Sequence, residues 1–333
     1  LTLANNTATA QSVAVSKTGD ATNALDIDVD GDAVTTLNIE ATGASFVDVD
    51  NTGTKLATVN VAGSADLTIE NVEMAKTIAV TNSAKTTLST AVDKVTVTGA
   101  AGAETVNLTH ATGTAREFSV STGAGDDKVA LTNLAVAADL TDSKVTISGG
   151  EGSDTLAMKS ALGNALSGLT AANVAKKGIA NDFEVLEITD QGAAADDVNL
   201  ARLGSNITKV DYAAGLGAAQ TLQGLATGGT VVLGAAASAA ADSLTVSVKD
   251  AAVAGNNSDV LNITLDGSHA AGTLDYGVLT AASVETINVN STSTKKTALV
   301  AADKNEIDLT VANAQTVNVT GNVYADLDGA ALT

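Results

Sequence analysis

The chain of 333 residues has no cysteine, no proline and no tryptophan, and aromatic residues make up only 2% of it. Without cysteine there is no disulfide framework, no thiolate zinc or iron–sulfur centre and no cysteine nucleophile. Without proline, no strand N–H is lost from a hydrogen-bond ladder. With so few aromatics, the core is not filled by large rings as in most domains of this size. Basic residues are scarce too: 17 Lys and Arg stand against 38 Asp and Glu, a formal net charge of -21. Such a chain repels phosphate, which excludes nucleic acid as a partner. No apolar run reaches the ~18 residues of a membrane helix, so membrane insertion is not expected.

What the chain does have is aliphatic. Hydrophobic residues make up 45% of it, almost all Ala, Val, Leu and Ile, which excludes the composition of a disordered polypeptide and predicts a thin, repetitive core. The first residues, Leu1-Thr2-Leu3-Ala4, do not form a secretory leader. The sequence reads as part of a longer chain or as a processed product.

One short pattern recurs: two apolar residues in alternation, followed by glycine. It occurs as Val59-Asn60-Val61-Ala62-Gly63, Val95-Thr96-Val97-Thr98-Gly99, Val145-Thr146-Ile147-Ser148-Gly149 and Val317-Asn318-Val319-Thr320-Gly321. Period-two alternation of β-branched residues is a strand; glycine after it is a turn that takes positive φ. Turn residues at positions 43, 63, 82, 99, 123 and 149 give coils of roughly 20 residues. A second set of strands lies half a coil away, with Ile27 and Val29 followed by Val47 and Val49 and then by Leu67 and Ile69. Two strands per coil, stacked in parallel, predict an all-β parallel β-helix, or β-solenoid. The regular part spans residues 1–156. Residues 157–333 read as a continuation with wider coils and short helical insertions, one at Leu162, Leu166 and Leu169 and another over Gln220 to Thr227; one continuous solenoid is an equal reading.

The sharpest motif is Gly149-Gly150-Glu151-Gly152-Ser153-Asp154-Thr155-Leu156-Ala157, which matches the nonapeptide G-G-x-G-x-D-x-U-x at every fixed position. One coil earlier, Thr122-Gly123-Ala124-Gly125-Asp126-Asp127-Lys128-Val129-Ala130 lacks only the first glycine. One coil before that, Gly99-Ala100-Ala101-Gly102-Ala103-Glu104-Thr105-Val106-Asn107 loses the second glycine and carries Glu in place of Asp. Glycines permit a tight turn with inward carbonyls, Asp supplies a hard anionic oxygen, and Ca2+ takes six to eight such ligands. Echoes without most of the glycines are Gln191 to Asn199, with Asp196, and Ala254 to Asn262, with Asp259.

These turns resemble the RTX family of type I-secreted bacterial proteins. The wider coils, the composition and the acidity resemble the RTX-like S-layer proteins of Gram-negative bacteria. The resemblance implies calcium held by Asp127 and Asp154, by Glu104 in the departing copy, and by the turns containing Gly99, Gly123, Gly125, Gly149, Glu151 and Gly152. It also implies an extracellular, cell-surface structural protein that self-assembles into a lattice through lateral contacts with itself, with cell-surface polysaccharide as a further partner. An adhesin or fibre stalk that binds a host or a glycan is the alternative, and a β-helix lyase or epimerase a more distant one.

The remaining residues point away from catalysis. His110 and His269 share no motif, Arg116 and Arg202 are far apart, and no serine sits in a nucleophile context. Asp26-Ile27-Asp28-Val29-Asp30 begins like an EF-hand loop, but its twelfth position is Leu37. It reads instead as a strand whose carboxylates stack on neighbouring coils, Asp28 on Asp48 and Asp30 on Asp50 and Glu70, as a solvated acidic face.

Overall fold

In the computed structural model, all residues are described except 5–6, 31–32, 51–54, 73, 110–116, 132–133, 135–143, 170–179, 194, 204–205, 254, 256–257, 269–271, 294–299, 301 and 330–333. Strands occupy 55% of the chain and helix 4%, so the fold is all-β, with short parallel strands stacked as in a β-solenoid. The chain divides into two units. One is Leu1–Ala157 with Ala172–Phe183; the other is Met158–Ala171 with Glu184–Thr333.

In the first unit the chain passes alternately through two sheets. Its strands are β1 (Ala10–Val15), β2 (Leu25–Asp28), β3 (Thr36–Ala41), β4 (Ser45–Asp50), β5 (Thr58–Gly63), β6 (Leu67–Val72) and β7 (Thr77–Val80). They continue as β8 (Thr86–Thr90), β9 (Lys94–Thr98), β10 (Glu104–Leu108), β11 (Glu117–Ala124), β12 (Lys128–Leu131), β13 (Lys144–Glu151) and β14 (Thr155–Met158). The odd-numbered strands form one sheet in sequence order, and the even-numbered strands pair in sequence order in the other. Every second residue turns inward, so Leu37, Val59 and Ile78 stack from coil to coil at 0% exposure, as do Val47, Ile69, Leu88 and Val106. This ladder of aliphatics is the core. Each fully buried Val or Leu contributes about 1.5–3 kcal/mol, and repetition does the work that aromatics do elsewhere.

Coil length varies. Stacked partners are separated by 26 residues for Ser12 and Asn38, 22 for Asn38 and Asn60, 18 for Ser89 and Asn107, and 27 for Asp127 and Asp154. The acidic face is therefore offset from the expected register. Asp26 pairs with Asp48 and Asp28 with Asp50, and β6 carries a bulge opposite β4. A shift of two residues preserves which side chains face in, so alternation alone does not distinguish a 20-residue coil from one of 22.

The second unit opens with α1 (Ser160–Ser167), where Leu162 and Leu166 are buried; Leu169 lies beyond its Gly168 cap. Its strands are β15 (Val185–Ile188), β16 (Asp197–Asn199), β17 (Lys209–Tyr212), β18 (Gln220–Leu225), β19 (Thr230–Leu233) and β20 (Ser243–Val248). They end with β21 (Val260–Gly267), β22 (Thr273–Ala281), β23 (Thr286–Ser293), β24 (Lys304–Thr310), β25 (Thr316–Gly321) and β26 (Tyr324–Asp328). The even-numbered strands form a six-stranded parallel sheet, and the odd-numbered ones pair in their own order. The helical turn expected over Gln220 to Thr227 is instead β18. A register shift between Gln223 and Leu225, with Gly224 at φ 80°, puts Leu222 and Leu225 on one side at 0% exposure. A bulge thus imitates the three-residue spacing of a helix.

Candidate metal site in the glycine-rich turns

Three consecutive coils of the first unit carry the acidic turns, and the ladder aligns them position for position. Thr105 pairs with Lys128 and Gly123 with Gly150. A Cβ on Gly125 would run into the Gly102 carbonyl oxygen, and one on Gly152 into that of Gly125. Gly123, Gly125, Gly150 and Gly152 all have φ between 105° and 139°. Only glycine meets both demands, a left-handed backbone and a carbonyl pressed against its Cα. The first-glycine position is Gly99 in the earliest turn and Gly149 in the last. Between them it is Thr122, fully buried, whose hydroxyl donates to the Gly149 carbonyl oxygen at 2.7 Å.

Each turn ends on an acid immediately before, or at the start of, a strand, on the inward side of its alternation. Glu104, Asp127 and Asp154 are 1%, 2% and 0% exposed. They form a chain of hydrogen bonds: the Glu104 N–H donates to Asp127 Oδ1 at 2.6 Å, and the Asp127 N–H to Asp154 Oδ1 at 2.8 Å. These bonds leave oxygens over. Both carboxylate oxygens of Glu104, and Oδ2 of Asp127, are buried with no hydrogen-bond partner. Thr122 is near Asp127, but its single hydroxyl proton goes to Gly149, so it does not supply one.

Carboxylates on adjacent coils lie ~4.8 Å apart and repel by roughly 3 kcal/mol per pair at an effective dielectric of about 20. The acidities show the strain. Burial, and next the charge of Asp127, push Glu104 up to about 7. Burial also pushes Asp127 upward, partly opposed by the N–H of Glu104. A row of acids this buried is stable only if it takes up protons or a cation.

Main-chain oxygens lie in the same turns as these carboxylates. The point a Gly102 side chain would occupy is 2.7 Å from Ala84 O, 2.8 Å from Asn82 O and 3.0 Å from Glu104 Oε1. The corresponding point on Gly99 is 2.7 Å from Glu104 Oε2 and abuts Thr122 O; that on Gly149 is 2.6 Å from Asp154 Oδ2 and abuts Asp182 O. Among the described residues no three acidic or histidine side chains converge. An ion here would therefore be shared by stacked carboxylates and carbonyls, and this hard-oxygen set fits Ca2+ better than a transition metal.

Sequence reasoning singled out the three acids and the glycines that the structure brings together. It missed the carbonyls of Asn82, Ala84 and Asp182, which arrive from other coils and carry no side-chain signature. Glu151 is placed otherwise: its side chain is exposed, and its carbonyl accepts the Gly125 N–H at 2.8 Å. Asp196 is buried in the second unit, where Oδ2 accepts the Ser160 hydroxyl at 2.6 Å and the Ala193 N–H at 3.2 Å. His110, His269 and Arg116 lie outside the described residues.

The chain matches no protein-family model. Comparison with curated proteins gives no match either.

Proposed function

We propose that the protein is a secreted structural component of a bacterial surface layer, a calcium-stabilised β-solenoid that self-assembles. The observation that carries the reading is the ladder of Glu104, Asp127 and Asp154, carboxylates buried at glycine-rich turns, with oxygens left over on Glu104 and Asp127. Bound there, Ca2+ supplies the positive charge that the ladder lacks. Neighbouring acids of the ladder, Glu104 with Asp127 and Asp127 with Asp154, would hold it pairwise, with carbonyls from the turns. Because such ligands meet only when coils are stacked, binding is coupled to folding. Low calcium inside a cell then leaves the acids repelling one another, and millimolar calcium outside closes the stack. The acidic face of Asp26, Asp28, Asp48 and Asp50, exposed at Asp26 and half-buried at the other three, adds a surface of one charge sign, which calcium would also bring together.

Negative-stain electron microscopy in millimolar calcium, repeated after chelation, tests it. Ordered sheets that dissolve on chelation are expected. Single particles in both conditions overturn the lattice and favour an adhesin stalk.

A further inference from the structure

The ladder has a counterpart in the second unit, at a turn without the glycine motif. Asp259 immediately precedes β21 and Glu285 immediately precedes β23, and these strands pair Val260 with Thr286. The two acids therefore occupy the same position on adjacent coils, on the inward side shared by Leu261 and Ile287, both fully buried. The hydrogen bond of the ladder is repeated: the Asp259 N–H donates to Glu285 Oε2 at 2.9 Å. The main chain closes beneath it, with the Thr286 N–H donating to Asp259 O at 3.0 Å. Asp259 is 2% exposed, and its Oδ2 is buried without a hydrogen-bond partner.

The other two acids of this unit that are buried among the described residues, Asp196 and Asp303, do not share that condition. The Oδ2 of Asp196 takes the Ser160 hydroxyl and the Ala193 N–H, and its neighbour on the next coil is Gln220 rather than an acid. Asp303 closes its own turn by accepting the N–H of Val300 at 2.9 Å and ties it to the adjacent coil by accepting that of Gly272 at 3.2 Å. At Asp259 one oxygen is left unmatched and the equivalent residue of the next coil is a second carboxylate, and among the described residues no basic side chain pairs with either.

We infer that Asp259 and Glu285 form a second divalent-cation site, of the hard-oxygen class that takes Ca2+, separate from the glycine-rich turns. The inference rests on reading the first ladder as calcium chemistry, and the two fail differently.

Hydrogen exchange of the full chain, with calcium chloride as the only added ligand and a chelated control, reads each site separately. Calcium is expected to slow exchange at least tenfold at the amides of Asp259 and Thr286 as well as at those of Glu104 and Asp127. Asp259→Asn is expected to abolish the effect at 259 and 286 only, with one bound calcium fewer by equilibrium dialysis. Protection at Glu104 and Asp127 with none at Asp259 and Thr286 overturns the second site and leaves the first standing. Protection at neither overturns both. Should Asp259→Asn fail to fold, the wild-type exchange pattern still decides.

Discussion

The two units use one construction rule with different materials. In the first, the residue before or at the start of a strand is acidic on three consecutive coils, and each lies behind a turn in which carbonyls of a neighbouring coil crowd the glycines. In the second, acids hold the same position at Asp196 and Asp259 without the nonapeptide's run of glycines, although a Cβ on Gly217 would meet the Gly192 carbonyl at 2.8 Å, and Asp196 is satisfied by Ser160. The difference shows that the turn glycines and the buried acids are separable devices. Glycine lets coils approach closely; the acid then makes the stack depend on charge. Where glycines are missing, a neighbouring hydroxyl or amide takes over.

The most severe way to break this contrast is at the turns. Gly123→Val puts a side chain into the Ala100 carbonyl at φ 105°, and is expected to destabilise by about 4 kcal/mol, combining overpacking with left-handed strain. Gly228→Ala in the second unit, at φ 79° with nothing within 4 Å of the added carbon, is expected to cost only about 1–2 kcal/mol. Urea unfolding of both variants checks the pair; equal losses would mean that close coil approach is not what the glycines provide.

Calcium is next in size. At a hundredfold excess over its dissociation constant it is expected to add about 2.7 kcal/mol per site. Asp127→Asn keeps the acceptor for the Glu104 N–H but removes a charge, so it is expected to lose most of that gain in calcium and to be more stable than wild type in chelator. Thermal melts in both buffers show whether the order inverts.

The acidity of Glu104 sharpens the same point. In chelator the folded protein holds a proton on Glu104 up to about pH 7, whereas the unfolded chain releases it near 4.5. The folded state therefore binds more protons across that interval. Stability is full below pH 4.5 and is expected to fall as pH rises through 7, the reverse of an ordinary salt-bridged carboxylate. A melting temperature in chelator that rises over that interval would refute it.

The smallest effects lie inside the second unit. Tyr212 is fully buried with its hydroxyl unpartnered, whereas the Tyr276 hydroxyl reaches Asn305 Oδ1 at 3.4 Å. Tyr212→Phe is expected to stabilise by about 1 kcal/mol and Tyr276→Phe to destabilise by about as much; denaturant midpoints for the two variants decide.

Much of this was legible in the residues. Alternation of Val, Ile and Leu with Thr, Asn and Asp determined the strands and which side chains are buried. The absence of proline and of large rings pointed to stacked, repetitive coils. The nonapeptide turns singled out Glu104, Asp127 and Asp154 before any coordinates, because a motif repeated at the spacing of a coil has to stack on itself. What the sequence left open follows from the same regularity. A period of two is unchanged by a shift of two, so only the paired backbones place Asp26 against Asp48 rather than Asp28 against it. The bulge at Gly224 made a strand look helical. The partner of the Asp259 N–H is a residue 26 positions away, and the carbonyls beside Glu104 have no side-chain identity. Local pattern determined the faces of each strand; register, bulges and the meeting of charges from different coils were decided only by the tertiary structure, because each needs two distant segments to be laid side by side.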